Sequence, residues 1–136
     1  MEDASENDEK ITPDTYSYNI LLKALAVSKE KGPVVTRKGK RHAGQIAVER
    51  ALQTLDKMEN EESKIAKPDA ISYNTVILAI ANHGPKGASD IALSVLKRME
   101  ARYERGDESV RPTSETYTSM IKGVYSSIVS NTPIIF

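Results

Sequence analysis

Cysteine and tryptophan are absent from the 136-residue chain, and phenylalanine occurs once. Without cysteine the chain can form no disulfide, no thiol nucleophile and no cysteine-ligated zinc site. With so few large aromatic residues, its core must be built from Leu, Ile, Val, Ala, Met and Tyr side chains. No apolar run approaches the about 20 residues that a membrane-spanning helix requires. The length suits one domain of ordinary size, and no contact with a membrane is expected.

Net charge is absent too, since 19 basic and 19 acidic residues balance. The charges are nevertheless segregated: residues 1–9 carry five acids and no base, and residues 29–42 carry six Lys or Arg against one acid. We expect residues 1–11 to be a disordered acidic tail. We expect residues 29–44, which have no apolar period, to be an exposed basic loop. The acidic start resembles neither a secretory signal nor an Arg-rich transit peptide.

What the chain does contain is one phrase, Pro-x-x-x-[Ser/Thr]-Tyr-[Asn/Thr], that begins at Pro13, Pro68 and Pro112. After each copy, apolar residues recur at the i, i+3, i+4, i+7 spacing of a buried helical face. The three predicted faces are Tyr18, Leu21, Leu22 and Leu25; Tyr73, Val76, Ile77 and Ile80; and Tyr117, Met120, Ile121 and Val124. The phrase therefore predicts three equivalent helices, each opened by its proline.

Two further helices are predicted between these copies, at about residues 45–60 and 88–103. Their apolar stripes are Val48, Ala51, Leu52, Leu55 and Met58, and Ile91, Ala92, Val95, Leu96 and Met99. The order A1-B1-A2-B2-A3 predicts an all-α fold, an α-solenoid of antiparallel helical hairpins. Its repeats cover about 13–67 and 68–111, with an incomplete third at 112–127 and a C-terminal tail at 128–136. Because a solenoid needs about three repeats and a cap, we expect the chain to be part of a longer array.

The residues of both helix types resemble the pentatricopeptide repeat family. Ala51-Leu52 with Leu55 and Met58, repeated as Ala92-Leu93 with Leu96 and Met99, is similar to the core of that family's second helix. The Pro-Asp and Tyr-Asn phrases are similar to its first helix. The prolines are 55 and 44 residues apart, more than the family repeat, but the excess falls in connections, which tolerate insertions at little entropic cost.

The resemblance implies sequence-selective binding of single-stranded RNA, one base per repeat. It implies an RNA-processing or RNA-stabilising factor of a mitochondrion or plastid. The family's base-reading positions fall on Asn19, Asp69, Asn74, Thr113 and Thr118, and its base-packing positions fall on Tyr16 and Ile71. Asn19 with Asp69 implies uracil, whereas Asn74 with Thr113 implies only a pyrimidine. Glu115 occupies the third packing position, where a carboxylate is a poor stacker.

Several alternatives stay open. The two asparagines could be solvated or capping residues. Five basic residues could contact phosphates or simply face solvent: Lys23, Arg37, Lys38, Lys40 and Arg41. The chain could also be a protein-binding scaffold similar to tetratricopeptide arrays, or a truncated product with no function alone. The sequence offers no catalytic set, so we expect no enzyme activity, metal, cofactor or small-molecule substrate.

Overall fold

The structure, a computed structural model, describes residues 13–28, 33–36, 39–60, 66–84 and 88–131. Within these ranges the chain forms five α-helices, one β-hairpin and a short 3-10 turn at Glu108–Val110. The helices are α1 Thr15–Val27, α2 Ala43–Asn60, α3 Ala70–His83, α4 Ala88–Glu104 and α5 Ser114–Asn131, and the strands are β1 Pro33–Thr36 and β2 Gly39–His42. The prediction of a helical fold is confirmed for all five helices.

Aspartate side chains begin two of the equivalent helices. The carboxylate of Asp14 accepts a hydrogen bond from the backbone N–H of Ser17, and this bond lowers the pKa of Asp14. The carboxylate of Asp69 likewise accepts a hydrogen bond from the backbone N–H of Ser72, and the Ser72 hydroxyl in turn accepts from the backbone N–H of Asp69. This reciprocal pair is a capping box, which satisfies two amide groups that the first turn leaves without partners. The Pro-Asp phrase therefore opens α1 and α3 as the sequence predicts.

Helices α1, α3 and α5 lie side by side and run in the same direction. At the amino ends of α1 and α3, the Thr15 hydroxyl donates to the Lys67 carbonyl at 2.6 Å. At the carboxyl ends of the same two helices, the Asn82 amide donates to the Ala26 carbonyl at 3.0 Å. Helix α2 packs against α1 and α3, and α4 packs against α3 and α5. Helix α3 thus touches each of the other four helices and occupies the centre of the molecule.

The core is built on α3, which buries residues around most of its circumference. All four predicted core residues of this helix are buried: Tyr73, Val76, Ile77 and Ile80. Ser72, Asn74 and Ala79 are buried beside them because α1 and α5 cover its two flanks. The stripes of α2 and α4 complete the same cluster, with Leu52 and Ile91 at its edge. These α2 and α4 stripes agree with the prediction.

The predicted faces of the outer helices are only partly buried. Tyr18 and Leu22 are buried on α1, but Leu21 is exposed and Leu25 lies at the rim of the core. On α5 the prediction is wrong for three residues, because Tyr117, Ile121 and Val124 are exposed, while Met120 only borders the core. Within the described part of the chain, α1 and α5 each have an equivalent helix, α3, on one side only. The side of α5 that faces α3 buries Thr116, Ser119 and Gly123.

The expected loop at 29–44 is also wrong over much of its length. Strands β1 and β2 pair antiparallel, with Val34 opposite Arg41 and Val35 opposite Lys40. Consecutive β-branched residues favour the extended backbone, and pairing of two short strands requires no helical apolar period. Helix α2 then begins directly after β2, at Ala43.

The chain ends differ from the expected boundaries or lie beyond them. Helix α5 continues to Asn131, so residues 128–131 belong to a helix and not to a tail. The predicted acidic tail at 1–11 and residues 132–136 lie outside the described residues. None of the helices in the described ranges combines the length and the hydropathy needed to cross a bilayer.

Candidate nucleic-acid interface

A hydrogen-bonded cluster joins α1 to the start of α3. The Asn19 amide Nδ2 donates to Asp69 Oδ1 at 3.1 Å, and the Ser72 hydroxyl donates to Asn19 Oδ1 at 2.6 Å. Asp69 Oδ1 also accepts from the Ser72 backbone N–H at 3.0 Å. The two ends of the Asn19 amide are therefore held by two residues of the next equivalent helix.

The same arrangement recurs between α3 and α5. Asn74 Nδ2 donates to Thr113 Oγ1 at 3.3 Å, and the Thr116 hydroxyl donates to Asn74 Oδ1. The backbone N–H of Thr113 donates to Thr116 Oγ1 at 2.9 Å, as Asp69 does to Ser72. The repeat in the sequence is thus a repeat of hydrogen bonds between neighbouring helices.

Both predicted base-reading pairs are brought into direct contact. Asn19 meets Asp69, and Asn74 meets Thr113, although 50 and 39 residues separate them. The fifth predicted residue, Thr118, is exposed on α5 and donates to the carbonyl of Ser114 at 2.8 Å. It forms no equivalent pair within the described part of the chain.

The two asparagines differ in how far they reach the surface. Asn19 is half-buried and follows the exposed Tyr16 by one helical turn, whereas Asn74 is only 5 % exposed. Asn74 lies on the central helix, where α5 covers the side on which its amide bonds. A ligand could therefore approach Asn19 directly, but it could reach only the rim of Asn74.

The predicted base-packing side chains lie on the open surface, one helical turn before each asparagine. Tyr16 is 73 % exposed and Ile71 is 60 % exposed. Glu115, at the equivalent position of α5, is exposed as well. Tyr16 and Ile71 therefore offer an aromatic face and an aliphatic face beside the two hydrogen-bonded pairs, as stacking on bases requires.

The structure describes only some of the residues that are predicted to contact phosphates. Lys23 is exposed on α1, one turn beyond Asn19. Arg37 and Lys38 lie outside the described residues, while Lys40 and Arg41 fall within β2. At the position of α5 equivalent to Lys23, Lys122 donates to Asn82 Oδ1 at 2.7 Å. One exposed lysine thus lies on the same flank as the Asn19 cluster.

An open cleft of about 680 Å³ lies elsewhere, between α2 and α4. Two of its arginines are engaged by nearby acids: Arg98 bonds to Glu59 and also to Asp56 at 2.6 Å. Arg102 contacts Asp107 at 3.3 Å. Hydrogen bonds from Ser109 and then from Arg102 lower the pKa of Asp107. These ion pairs tie α4 to α2 and to the turn that follows it.

Metal ligands do not gather in the described ranges, where no group of three or more His, Asp or Glu side chains comes together. Comparison with known proteins adds no relative: no family model, curated protein or solved structure matches the chain.

Ser72 and Thr116 are the members of the cluster that the sequence interpretation missed. Both are fully buried and both bond to the asparagine of the preceding unit. Their signal was present, since the repeated phrase has Ser or Thr at this place in every copy. A hydroxyl residue near a helix start is usually explained as a local cap, and a cap alone does not predict a contact 53 residues away.

Proposed function

We propose that this chain is a pentatricopeptide-like helical-repeat segment that binds single-stranded RNA along the flank carrying Tyr16, Asn19 and Ile71. The observation that carries the proposal is the Asn19–Asp69 contact beside the exposed ring of Tyr16. An aromatic face next to an amide and a carboxylate combines stacking with hydrogen bonding to a base edge. Single-stranded RNA recognition uses this combination.

The parallel packing of α1, α3 and α5 supports a solenoid of stacked hairpins. In such a stack the equivalent flanks of successive first helices align into one continuous surface. Tyr16 and Ile71 would lie along that surface, with Lys23 beyond them. The predicted pairs at Asn19 and Asn74 would mark successive positions, of which the first is open in this structure.

The test compares Tyr16→Ala with Ile121→Ala in titrations of labelled single-stranded RNA followed by anisotropy at low salt. Both side chains are largely exposed, at 73 % and 69 %, so neither change should unfold the protein. We expect Tyr16→Ala to weaken binding about tenfold, since loss of base stacking costs about 1–3 kcal/mol. Tyr16→Phe should bind as the wild type does, and Ile121→Ala should have no effect. Equal affinity of wild type and Tyr16→Ala would contradict the proposed RNA surface.

A protein-binding scaffold is the second candidate function, and one feature favours it. The outer side of α5 exposes four large apolar residues: Tyr117, Ile121, Val124 and Tyr125. Three of them align with residues that α3 buries, so this side could pack against a helix of a partner. Under this function, Ile121→Ala would weaken partner binding and Tyr16→Ala would not. The same two variants therefore separate the two functions.

A further inference from the structure

A buried hydroxyl holds one end of the Asn19 amide. The backbone N–H of Asp69 donates to Ser72 Oγ at 3.1 Å, which leaves the hydroxyl proton of Ser72 for another acceptor. Asn19 Oδ1 lies 2.6 Å away and Asp69 Oδ1 lies 3.0 Å away. Asp69 Oδ1 already accepts from the Ser72 backbone and from Asn19. The closer Asn19 oxygen therefore takes the proton.

The other end of the amide is fixed by a carboxylate. An ionised carboxylate accepts hydrogen bonds and cannot donate them, so only the nitrogen of Asn19 can face Asp69. The oxygen must then face Ser72. One amide proton and one lone pair of Asn19 remain, and the two bonds fix which of them lies on which end of the amide.

That order decides which pyrimidine can pair with the amide. Uracil presents an acceptor where cytosine presents its N4 amino donor. The neighbouring ring nitrogen is a donor in uracil and an acceptor in cytosine. A rotation of the amide by 180° exchanges its donor and acceptor. A fixed amide thus matches one pyrimidine, while a freely rotating one matches both.

We propose that Ser72 is a positioning residue, which with Asp69 holds the Asn19 amide in one orientation and so strengthens the choice between uracil and cytosine. This inference rests on the proposed RNA-binding function. Ser72 itself is fully buried and touches no base. It acts through Asn19, together with Asp69.

Thr116 provides an internal control. It makes the same bond to Asn74 and is equally buried, but Asn74 is nearly covered. Loss of the Thr116 hydroxyl should therefore lower stability without altering base preference. Ser72→Thr should retain the wild-type preference, since a threonine hydroxyl makes the equivalent bond in the next unit.

The experiment measures the affinities of the full chain for oligouridine and oligocytidine of equal length, and the ratio of the two. In Ser72→Ala we expect the wild-type preference to fall about fivefold, the equivalent of one net hydrogen bond. Ser72→Thr should keep the preference and Thr116→Ala should leave it unchanged. Without RNA, the side-chain amide protons of Asn19 should exchange with solvent several-fold faster in Ser72→Ala, as seen by NMR.

The possible failures can be told apart. A clear wild-type preference that Ser72→Ala leaves intact overturns the positioning role alone. Unchanged exchange of the Asn19 amide protons in that variant also overturns it, independently of RNA. If the wild type binds neither oligonucleotide, the proposed function fails and the role of Ser72 in base choice fails with it. An equal loss of affinity for both oligonucleotides indicates a structural role and contradicts the inference.

Discussion

The amide nitrogen of Asn19 donates to the carboxylate of Asp69 across 3.1 Å, and so joins the first helix to the residue that caps the third. Asn74 makes the equivalent bond to Thr113. Asparagine in a helix interior is less favourable than alanine by about 0.5–0.7 kcal/mol. Its occurrence at two equivalent positions is explained in part by these bonds between neighbouring helices. Base recognition is a further use of the same side chains.

Replacing the two asparagines should therefore have unequal effects on stability. Asn74→Ala removes the acceptor of the buried Thr116 hydroxyl, which should cost about 1–3 kcal/mol. Asn19→Ala should cost about 0.5–1.5 kcal/mol, because water can reach its half-buried site. Urea unfolding of both variants measures the difference. A larger loss for Asn19→Ala would contradict the assigned burial of these residues.

Ile77 and Ile121 occupy equivalent positions in the repeat but different environments. Ile77 is fully buried in the centre of the core, whereas Ile121 is 69 % exposed on α5. We expect Ile77→Ala to destabilise the fold by about 2–5 kcal/mol. Ile121→Ala should change the unfolding free energy by less than about 0.5 kcal/mol. Comparable losses in the two variants would show that α5 is covered in solution, for example by another molecule.

Tyr73 should make stability depend on pH in the alkaline range. Its hydroxyl donates to Glu59 Oε2 at 3.0 Å, and burial raises the pKa of the phenol above the ordinary 10.0, although the charge of Arg102 opposes this. The folded state thus holds the proton more tightly than the unfolded state. The resulting stability is fully present below pH 10.0 and is lost as the pH rises through the folded pKa.

Tyr73→Phe has no proton to lose and measures this contribution. The variant should be less stable at neutral pH by about 1.5–3 kcal/mol, the value of a hydrogen bond to a charged group. The difference from the wild type should narrow as the pH rises above 10.0. Tyr125→Phe, at an exposed position, is the matched control and should leave stability unchanged. Parallel pH profiles for the wild type and Tyr73→Phe would contradict the assigned burial of the phenol.

Sequence periodicity predicts the helices well because their apolar stripes follow one period. The pairing of Asn19 with Asp69 and of Asn74 with Thr113 is implied by the family resemblance and not by periodicity, and the structure brings both pairs into contact. Periodicity fails on α5, where Tyr117 has the spacing of a core residue but lacks a covering helix within the described part of the chain. Periodicity reports which side of a helix is apolar and does not report what covers it.

Two other features depend on tertiary contacts that local patterns do not encode. The near-complete burial of Asn74 follows from its position on the central helix, between α1 and α5. The bond from Ser72 to Asn19 joins two repeat units. A serine near the start of a helix predicts only a local cap. The sequence does not predict the β-hairpin, because a basic segment with no helical period has the pattern of an exposed loop.

The most direct test of the RNA-binding account is an NMR titration of the wild-type chain with oligouridine, with the side-chain amide resonances of Asn19 and Asn74 followed separately. The method detects the weak binding expected of a chain with one open position. The account predicts a saturable shift of the Asn19 amide that diminishes at high salt, with a smaller shift for the covered Asn74. An unchanged Asn19 resonance at saturating RNA, or shifts confined to residues away from Tyr16 and Asn19, would contradict it.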